Sequence, residues 1–168
     1  MGLITDLRAQ LERLFQGRVC YMGLGNVDYG DDGFGVRLAE ELVYAGVPGV
    51  VVAETAPERA LGFINGSYDH LVFIDSVEFG GAPGSVVLLD AMQMVSKFPQ
   101  ISTHKIALGT LAKLVETGRK TKAWLLGVQP QSLDLGRQLT PIVQTTLEVL
   151  FELLSSVIPK PRAIAAKK

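Results

Sequence analysis

The sequence carries its densest set of chemically capable residues at positions 23–35, in the segment GLGNVDYGDDGFG. Glycines alternate there with the acidic residues Asp28, Asp31 and Asp32. A short apolar run at 18–23 precedes the segment and helical spacing follows it, so the segment joins a predicted strand to a predicted helix. Carboxylates gathered at the end of a strand suit a cation, which they can bind through oxygen.

Two of these acids stand directly before the helix that is predicted to begin near Gly33. An acidic residue in that position caps a helix and stabilises it by roughly 1 kcal/mol. Adjacent side chains point in different directions, so we expect one of Asp31 and Asp32 to cap the helix and the other to remain for another role.

A phosphate-binding loop is the alternative interpretation of the same segment. A dinucleotide-binding fingerprint places glycine at positions 23, 25 and 28, but position 28 is Asp28. The acidic side chains of the loop would repel a phosphate at the helix N-terminus, which otherwise attracts anions. No GxxxxGK[ST] motif occurs in the chain. Nucleotide binding is therefore the least favoured function for this loop.

A further acid, Asp75, follows the apolar run at 71–74, which predicts a strand buried on both faces. Ligand crevices in open α/β sheets lie outside the carboxyl ends of the strands. Asp75 is therefore expected at the same sheet edge as the 23–35 loop. A turn residue that binds its own backbone is the alternative role for this side chain.

His104 lies in the segment STHK, at the entrance of a helix predicted over 105–117. The connection from the fourth strand can bring this entrance back to the acidic edge, whereas His70 precedes a strand and belongs at the opposite edge. An imidazole with carboxylates suits a borderline divalent ion such as nickel or zinc, and a structural or exposed histidine is the alternative. The lone cysteine, Cys20, is expected in the core.

The elements that must position these residues alternate between strand and helix. Apolar runs predict strands at 18–23, 50–53, 71–74, 84–89 and 123–128. Helical spacing predicts helices at 3–15, at 36–46, from Thr55 with that residue as its cap, at 105–117, and at 141–155 after the cap Thr140.

The link between the third and fourth strands is only about eight residues long, too short for a parallel crossover, so the fourth strand should run antiparallel. The fold class is therefore α/β, a three-layer α/β/α sandwich with a mostly parallel five-stranded sheet and one antiparallel strand.

Composition and length indicate a globular protein. The chain has 168 residues, 48% of them hydrophobic and 20% charged, with a net charge of −1. These values disfavour overall disorder and a general nucleic-acid binder. We predict a helical extension at 1–17, one α/β domain at 18–157 and a disordered basic tail at 158–168. No apolar run predicts a membrane span or a signal peptide, so we expect the protein in the cytoplasm.

Five segments together resemble the nickel–iron hydrogenase maturation endopeptidases, in the branch that acts on hydrogenase-3-type large subunits. They are GLGNVDYGDDGFGVRLAEEL (23–42), TAPE (55–58), DHLVFIDSVEFGGAPGSVVLLD (69–90), STHKIAL (102–108) and LLGVQP (125–130). The resemblance implies a twisted five-stranded sheet with one antiparallel strand between helical layers. It also implies a processing peptidase that removes a C-terminal extension from the hydrogenase large-subunit precursor after nickel has been inserted.

The resemblance also assigns residues and partners. By motif position, Asp32, Asp75 and His104 would be the metal-binding and catalytic residues. We also expect Asp31 to orient one of these ligands. Nickel would be carried by the precursor, with zinc or cadmium able to replace it in crystals, and the enzyme would act as a monomer. In such an enzyme, Gly23, Gly25 and Gly33 of the loop would let the substrate backbone approach closely. A non-catalytic, nickel-sensing module that docks on immature hydrogenase needs the same ligands and remains the alternative.

Overall fold

The computed structural model describes residues 2–62, 64, 68–97 and 107–158, with the side chains of 2–5 and 97 left out. The strands are Val19–Leu24 (β1), Val50–Glu54 (β2), His70–Ser76 (β3), Val86–Asp90 (β4) and Lys122–Val128 (β5). The helices are Gly2–Leu14 (α1), Phe34–Tyr44 (α2), Pro57–Leu61 (α3), Ala91–Lys97 (α4), Leu108–Gly118 (α5) and Pro141–Val157 (α6).

One sheet organises the described part of the chain, with the strand order β2-β1-β3-β5-β4. The pairs formed by β1 with β2, β1 with β3, and β3 with β5 are parallel, whereas β4 runs antiparallel to β5. The predicted sandwich and its single antiparallel strand are therefore confirmed. The reason is the short link from β3, which reverses the chain instead of crossing a face of the sheet.

Side-chain alternation along the central strand divides the core into two layers. In β3, Leu71 and Phe73 join the core on the side of α3, α4 and α5. Val72 and Ile74 point the other way and pack with α1, α2 and α6. Helices cover both faces of the sheet at β3. Side chains on both faces are therefore apolar, and the sequence of β3 contains an unbroken apolar run.

Helix α2 begins very close to the carboxyl ends of β1 and β3, and Gly35 allows it. A side chain at this position would overlap the backbone carbonyl oxygens of Leu24 and Ile74. Since backbone on both sides leaves no room for a Cβ atom, glycine is required for close helix–strand packing. This contact holds the segment before α2 at the edge where β1 and β3 end.

Helix α1 belongs to the core on the α6 side. Its Leu11 is fully buried and its Leu14 nearly so, both in the cluster that contains residues of α6. At the other end, Ile158 is buried although the sequence analysis assigned it to the tail. The remaining tail residues, 159–168, lie outside the described part of the chain.

Three local predictions are wrong or incomplete. The third helix begins at Pro57 with Ala56 as its N-cap, not at Thr55, because proline favours the first helical position. Helix α4 was not predicted at all. Helix α6 does begin at Pro141 after Thr140, but the Thr140 side chain makes no capping bond and has a different partner, described below.

None of the helices in the described part of the chain combines the length and apolar character needed to cross a bilayer.

Candidate functional site

The strand order itself marks a crevice at the carboxyl edge of the sheet. From β1 the chain goes to β2 on one side and later to β3 on the other, so β1 and β3 are neighbours whose connections leave in opposite directions. In open α/β sheets such a switch point is where ligands bind. The loop after β1 carries Asp32, and the last two residues of β3 are Asp75 and Ser76. The predicted edge location of both acids is confirmed.

The carboxylates of Asp32 and Asp75 both contact the same residue. The backbone N–H of Ser76 donates to Oδ1 of Asp75 at 2.8 Å, and the Ser76 hydroxyl donates to Oδ1 of Asp32 at 3.4 Å. Asp75 is only 3% exposed, while Asp32 is partly exposed. The structure therefore brings these two predicted site residues together at the end of β3.

Two features of the β1 loop orient Asp32. The backbone N–H of Asn26 donates to its Oδ2 at 2.9 Å. Gly25 has a φ of 127°, and a Cβ atom there would overlap the backbone carbonyl oxygen of Asp32. The sequence analysis expected the substrate backbone beside Gly25, but the chain's own Asp32 backbone occupies that space. Beside Gly23 the space is occupied by the side chain of Ala39. These glycines serve internal packing.

Neither acid caps α2, contrary to the sequence analysis. Both lie in a 3₁₀ turn, Gly30–Gly33, and the N-cap position of α2 is Gly33 without a side-chain cap. Asp32 turns back to Asn26, and Asp31 is fully buried and faces the segment between β5 and α6. Both carboxylates therefore have partners outside the helix, and the prediction fails because local sequence does not reveal these longer-range donors.

The carboxylate of Asp31 accepts its hydrogen bonds from that segment, as far as the described residues show. Its Oδ2 receives the backbone N–H groups of Gln131 and Ser132 at 2.8 and 3.1 Å. Thr140 donates its backbone N–H to Oδ1 at 2.7 Å and its hydroxyl to Oδ2 at 2.9 Å. Such donors make the burial of a charged carboxylate tolerable, since an unpaired buried charge is very costly.

The third proposed ligand, His104, lies outside the described residues. Within the parts of the chain that are described, no three His, Cys, Asp or Glu side chains are grouped closely enough to hold a metal ion. The assignment of His104 therefore stays a prediction. The first described residue after it is Ala107, directly before α5, and α5 packs on the same face of β3 as Leu71 and Phe73.

His70 and Cys20 lie where the sequence analysis expected them. His70 is the first residue of β3, at the opposite edge, where its Nδ1 accepts the indole N–H of Trp124 at 3.1 Å. Burial lowers its pKa below the usual 6.5, and the charge of Asp69 opposes part of that shift. Cys20 is fully buried in the core, and this burial raises the pKa of its thiol to about 12. Neither side chain belongs to the acidic edge.

Comparison with known proteins identifies the family to which this architecture belongs. The sequence profile of the family described as HycI, hydrogenase maturation protease, matches residues 36–157, which is most of the chain. The chain belongs to the hydrogenase maturation protease family. The resemblance drawn from the sequence is confirmed, and the protein is a hydrolase that cleaves peptide bonds.

Individual relatives agree with this assignment. The chain is 32% identical to the hydrogenase 2 maturation protease of Escherichia coli K12 over 143 residues, covering 80% of this chain and 87% of that protein. The crystal structure of the NiFe hydrogenase maturation protease HycI from Thermococcus kodakarensis KOD1 superimposes with a TM-score of 0.78 at 30% identity, covering 89% and 98% of the two chains. The hydrogenase maturating endopeptidase HybD of E. coli gives a TM-score of 0.68 at 29% identity, with 83% and 91% covered.

Several residues around the site were not found from the sequence. Ser76 follows Asp75 directly, and only its contact with Asp32 shows that it links the two acids. Gln129, in the segment LLGVQP, uses its side-chain Oε1 to accept the backbone N–H groups of Phe79 and Gly81 at 2.9 and 3.2 Å. A usable signal existed for Gln129, because it directly follows a strand and so lies at the same edge as the acids.

Proposed function

We propose that this protein is a nickel-dependent processing endopeptidase. Its substrate would be the large-subunit precursor of a nickel–iron hydrogenase, from which it would remove the C-terminal extension after nickel has been inserted. The observation that carries the proposal is the meeting of Asp32 and Asp75 at Ser76, on the switch point of a maturation protease fold. The names of the relatives support a hydrogenase precursor as the substrate class.

The donor set fits nickel that arrives with the precursor. Carboxylate oxygens from Asp32 and Asp75, with an imidazole nitrogen from His104, form a mixed set that a borderline divalent ion accepts. Zinc or cadmium would be accepted by the same groups and would serve as probes of the site. When bound, nickel would polarise the scissile carbonyl or lower the pKa of a water molecule.

The chain's own residues would select and orient the substrate. Asp32 is held from two sides, by the Asn26 N–H and the Ser76 hydroxyl, so its carboxylate is oriented before substrate arrives. Asp75 is almost fully buried at the end of a central strand and is therefore rigidly placed. A precursor without nickel offers these carboxylates no cation, so it would bind more weakly than the loaded precursor.

Cleavage of purified, nickel-loaded precursor tests this proposal, with the released tail identified by mass spectrometry. The wild-type protein should release the tail from loaded precursor and not from nickel-free precursor. His104→Ala, Asp32→Asn and Asp75→Asn should each abolish release while leaving the circular dichroism spectrum unchanged. His70→Ala, at the opposite edge, is the matched control for the histidine and should retain full activity.

Two outcomes would contradict the proposal. A fully active His104→Ala variant would remove that residue from the site. Wild-type protein that binds loaded precursor without releasing a peptide would instead favour the non-catalytic nickel-sensing module.

A further inference from the structure

We infer that Asp31 is a positioning residue. It holds the connection between β5 and α6, residues 129–140, against the segment that carries Asp32, and so sets the position of the Asp32 carboxylate. The inference rests on the proposed function, because it assigns Asp31 a task in that reaction. Asp31 itself is fully buried and does not reach the substrate.

The first step of the argument is the strength of the attachment. All the side-chain bonds that Asp31 makes in the described part of the chain go to residues 100 or more positions away: the backbone N–H groups of Gln131, Ser132 and Thr140, and the Thr140 hydroxyl. Bonds to an ionised acceptor are about twice as strong as those between neutral groups. A single side chain therefore ties the 3₁₀ turn to both ends of the 131–140 stretch.

Backbone bonds extend the same attachment along the turn. Asp31 donates its N–H to the Ser132 carbonyl at 3.0 Å, and Gly30 donates to the Gly136 carbonyl at 2.7 Å. Gly136 in turn donates its N–H to the Asp28 carbonyl at 2.8 Å. The loop from Asp28 to Asp31 thus lies along the 129–140 connection like a short added strand, with Tyr29 and Gly136 forming a parallel bridge.

The same connection also holds the segment that follows Asp75. Gln129 accepts the N–H groups of Phe79 and Gly81 through its side chain, and its backbone carbonyl accepts the Gly84 N–H at 2.9 Å. The 129–140 connection is therefore in contact with the residues directly before Asp32 and with the chain after Asp75. A shift at Asp31 would change the position of Asp32 relative to Asp75.

Asp32 depends on this support because its own restraints are few. The hydrogen bonds described for its side chain come from Asn26, at 2.9 Å, and from Ser76, at 3.4 Å. Displacing a catalytic geometry by about 1 Å can lower a rate about 100-fold. Loss of the Asp31 attachment should therefore slow the reaction without removing any group that contacts the substrate.

The Asp31→Asn variant tests the inference in the full-length protein. The asparagine amide has the size of the carboxylate but only one oxygen. Its NH₂ group cannot accept hydrogen bonds from the N–H donors that it would face. We expect kcat for cleavage of nickel-loaded precursor to fall about 10- to 100-fold, with KM changed less than about threefold. Amide hydrogen exchange should become faster at residues 131, 132 and 140, and also at Asn26, whose N–H reports on Asp32.

Asp134→Asn is the matched control. Asp134 is exposed in the same connection and pairs locally with Ser132, so this substitution should leave kcat, KM and the Asn26 exchange rate unchanged. If Asp31→Asn does not fold, Thr140→Val removes only the hydroxyl donor and should lower kcat about three- to tenfold. Thr140→Ser keeps the hydroxyl and should therefore keep the wild-type kcat.

The outcomes separate this inference from the proposed function. Wild-type protein that cleaves no loaded precursor overturns the proposed function. In that case the Asn26 exchange rate in Asp31→Asn still tests whether Asp31 positions Asp32. If the wild type cleaves and Asp31→Asn keeps its kcat, the inference is overturned. A fall in kcat with unchanged Asn26 exchange overturns it as well, because the effect would not pass through Asp32. If Asp31→Asn is unfolded, full activity of Thr140→Val overturns the inference about Asp31.

Discussion

The hydroxyl of Ser76 donates a 3.4 Å hydrogen bond to Oδ1 of Asp32, across 44 residues of sequence. Ser76 is the last residue of β3, and Asp32 lies in the loop after the neighbouring strand β1. The backbone of the same serine binds the carboxylate of Asp75. Ser76 therefore fixes the relative placement of the two acids, and it does so without an ionisable group of its own.

Removing that hydroxyl should weaken the site without dismantling it. Ser76→Ala deletes one neutral donor to Asp32 and keeps the backbone bond to Asp75, so the free energy of unfolding should fall by about 1 kcal/mol. The cleavage rate on loaded precursor should fall several-fold. Ser156→Ala, whose hydroxyl donates to the Leu153 carbonyl within α6, is the control and should cleave normally. An unchanged cleavage rate in Ser76→Ala would contradict the role of the Ser76 hydroxyl in placing Asp32.

The surroundings of two helical glycines predict opposite effects of substitution by alanine. Gly35→Ala should destabilise the protein by about 3 kcal/mol or more, because the new Cβ meets backbone carbonyls that cannot move aside. Gly118→Ala lies at the end of α5, where a new Cβ would meet no atom of the described residues within 4 Å, so it should be neutral or stabilise by up to about 1 kcal/mol through helix propensity. Urea unfolding measures both. Equal stabilities for the two variants would contradict the packing described for Gly35.

The pair formed by His70 and Trp124 predicts a pH dependence. Burial lowers the pKa of His70 in the folded state, so the unfolded chain takes up its proton first as the pH falls through 6.5. This histidine therefore costs no stability above that pH, and it lowers the free energy of unfolding as the pH falls from 6.5 toward the folded-state pKa. Below the folded-state pKa the loss is complete. Urea unfolding of wild-type protein and His70→Gln at several pH values measures the difference.

Tryptophan fluorescence measures the titration of His70 independently. Trp124 is the single tryptophan, and protonation of His70 removes the acceptor of its indole N–H. Tryptophan emission should change with a midpoint below pH 6.5, and His70→Gln should lose that transition. Identical emission profiles for the two proteins would contradict the contact.

The single cysteine should be chemically inert in the folded protein. Cys20 is fully buried and its thiol pKa is about 12, so little thiolate forms and reagents cannot reach it. Iodoacetamide at about pH 8 should leave the native protein unmodified and active, yet alkylate it completely in urea. Rapid alkylation of the native protein, or inactivation by the reagent, would show that Cys20 is accessible.

Local patterns in the sequence were sufficient for most of the fold. Within the described residues, helical spacing and apolar runs predict all five strands and five of the six α-helices, because each element buries a face whose period appears in its own residues. The short link after β3 predicts the antiparallel strand by chain reach alone. Asp75 could be placed at the edge because it directly follows a buried run. In each case the determining residues lie within one element or one loop.

Other features were decided only by the tertiary structure. The role of Asp31 depends on hydrogen-bond donors at Gln131, Ser132 and Thr140. From the local sequence, a carboxylate directly before a helix is predicted to be a cap whether or not its partners lie elsewhere in the chain. Ser76 became a link between two acids only when β1 and β3 were placed side by side. The sequence by itself therefore determined which elements form and which edge carries the acids. Only the fold decided which donor each acid receives, because such bonds join residues that are distant along the chain.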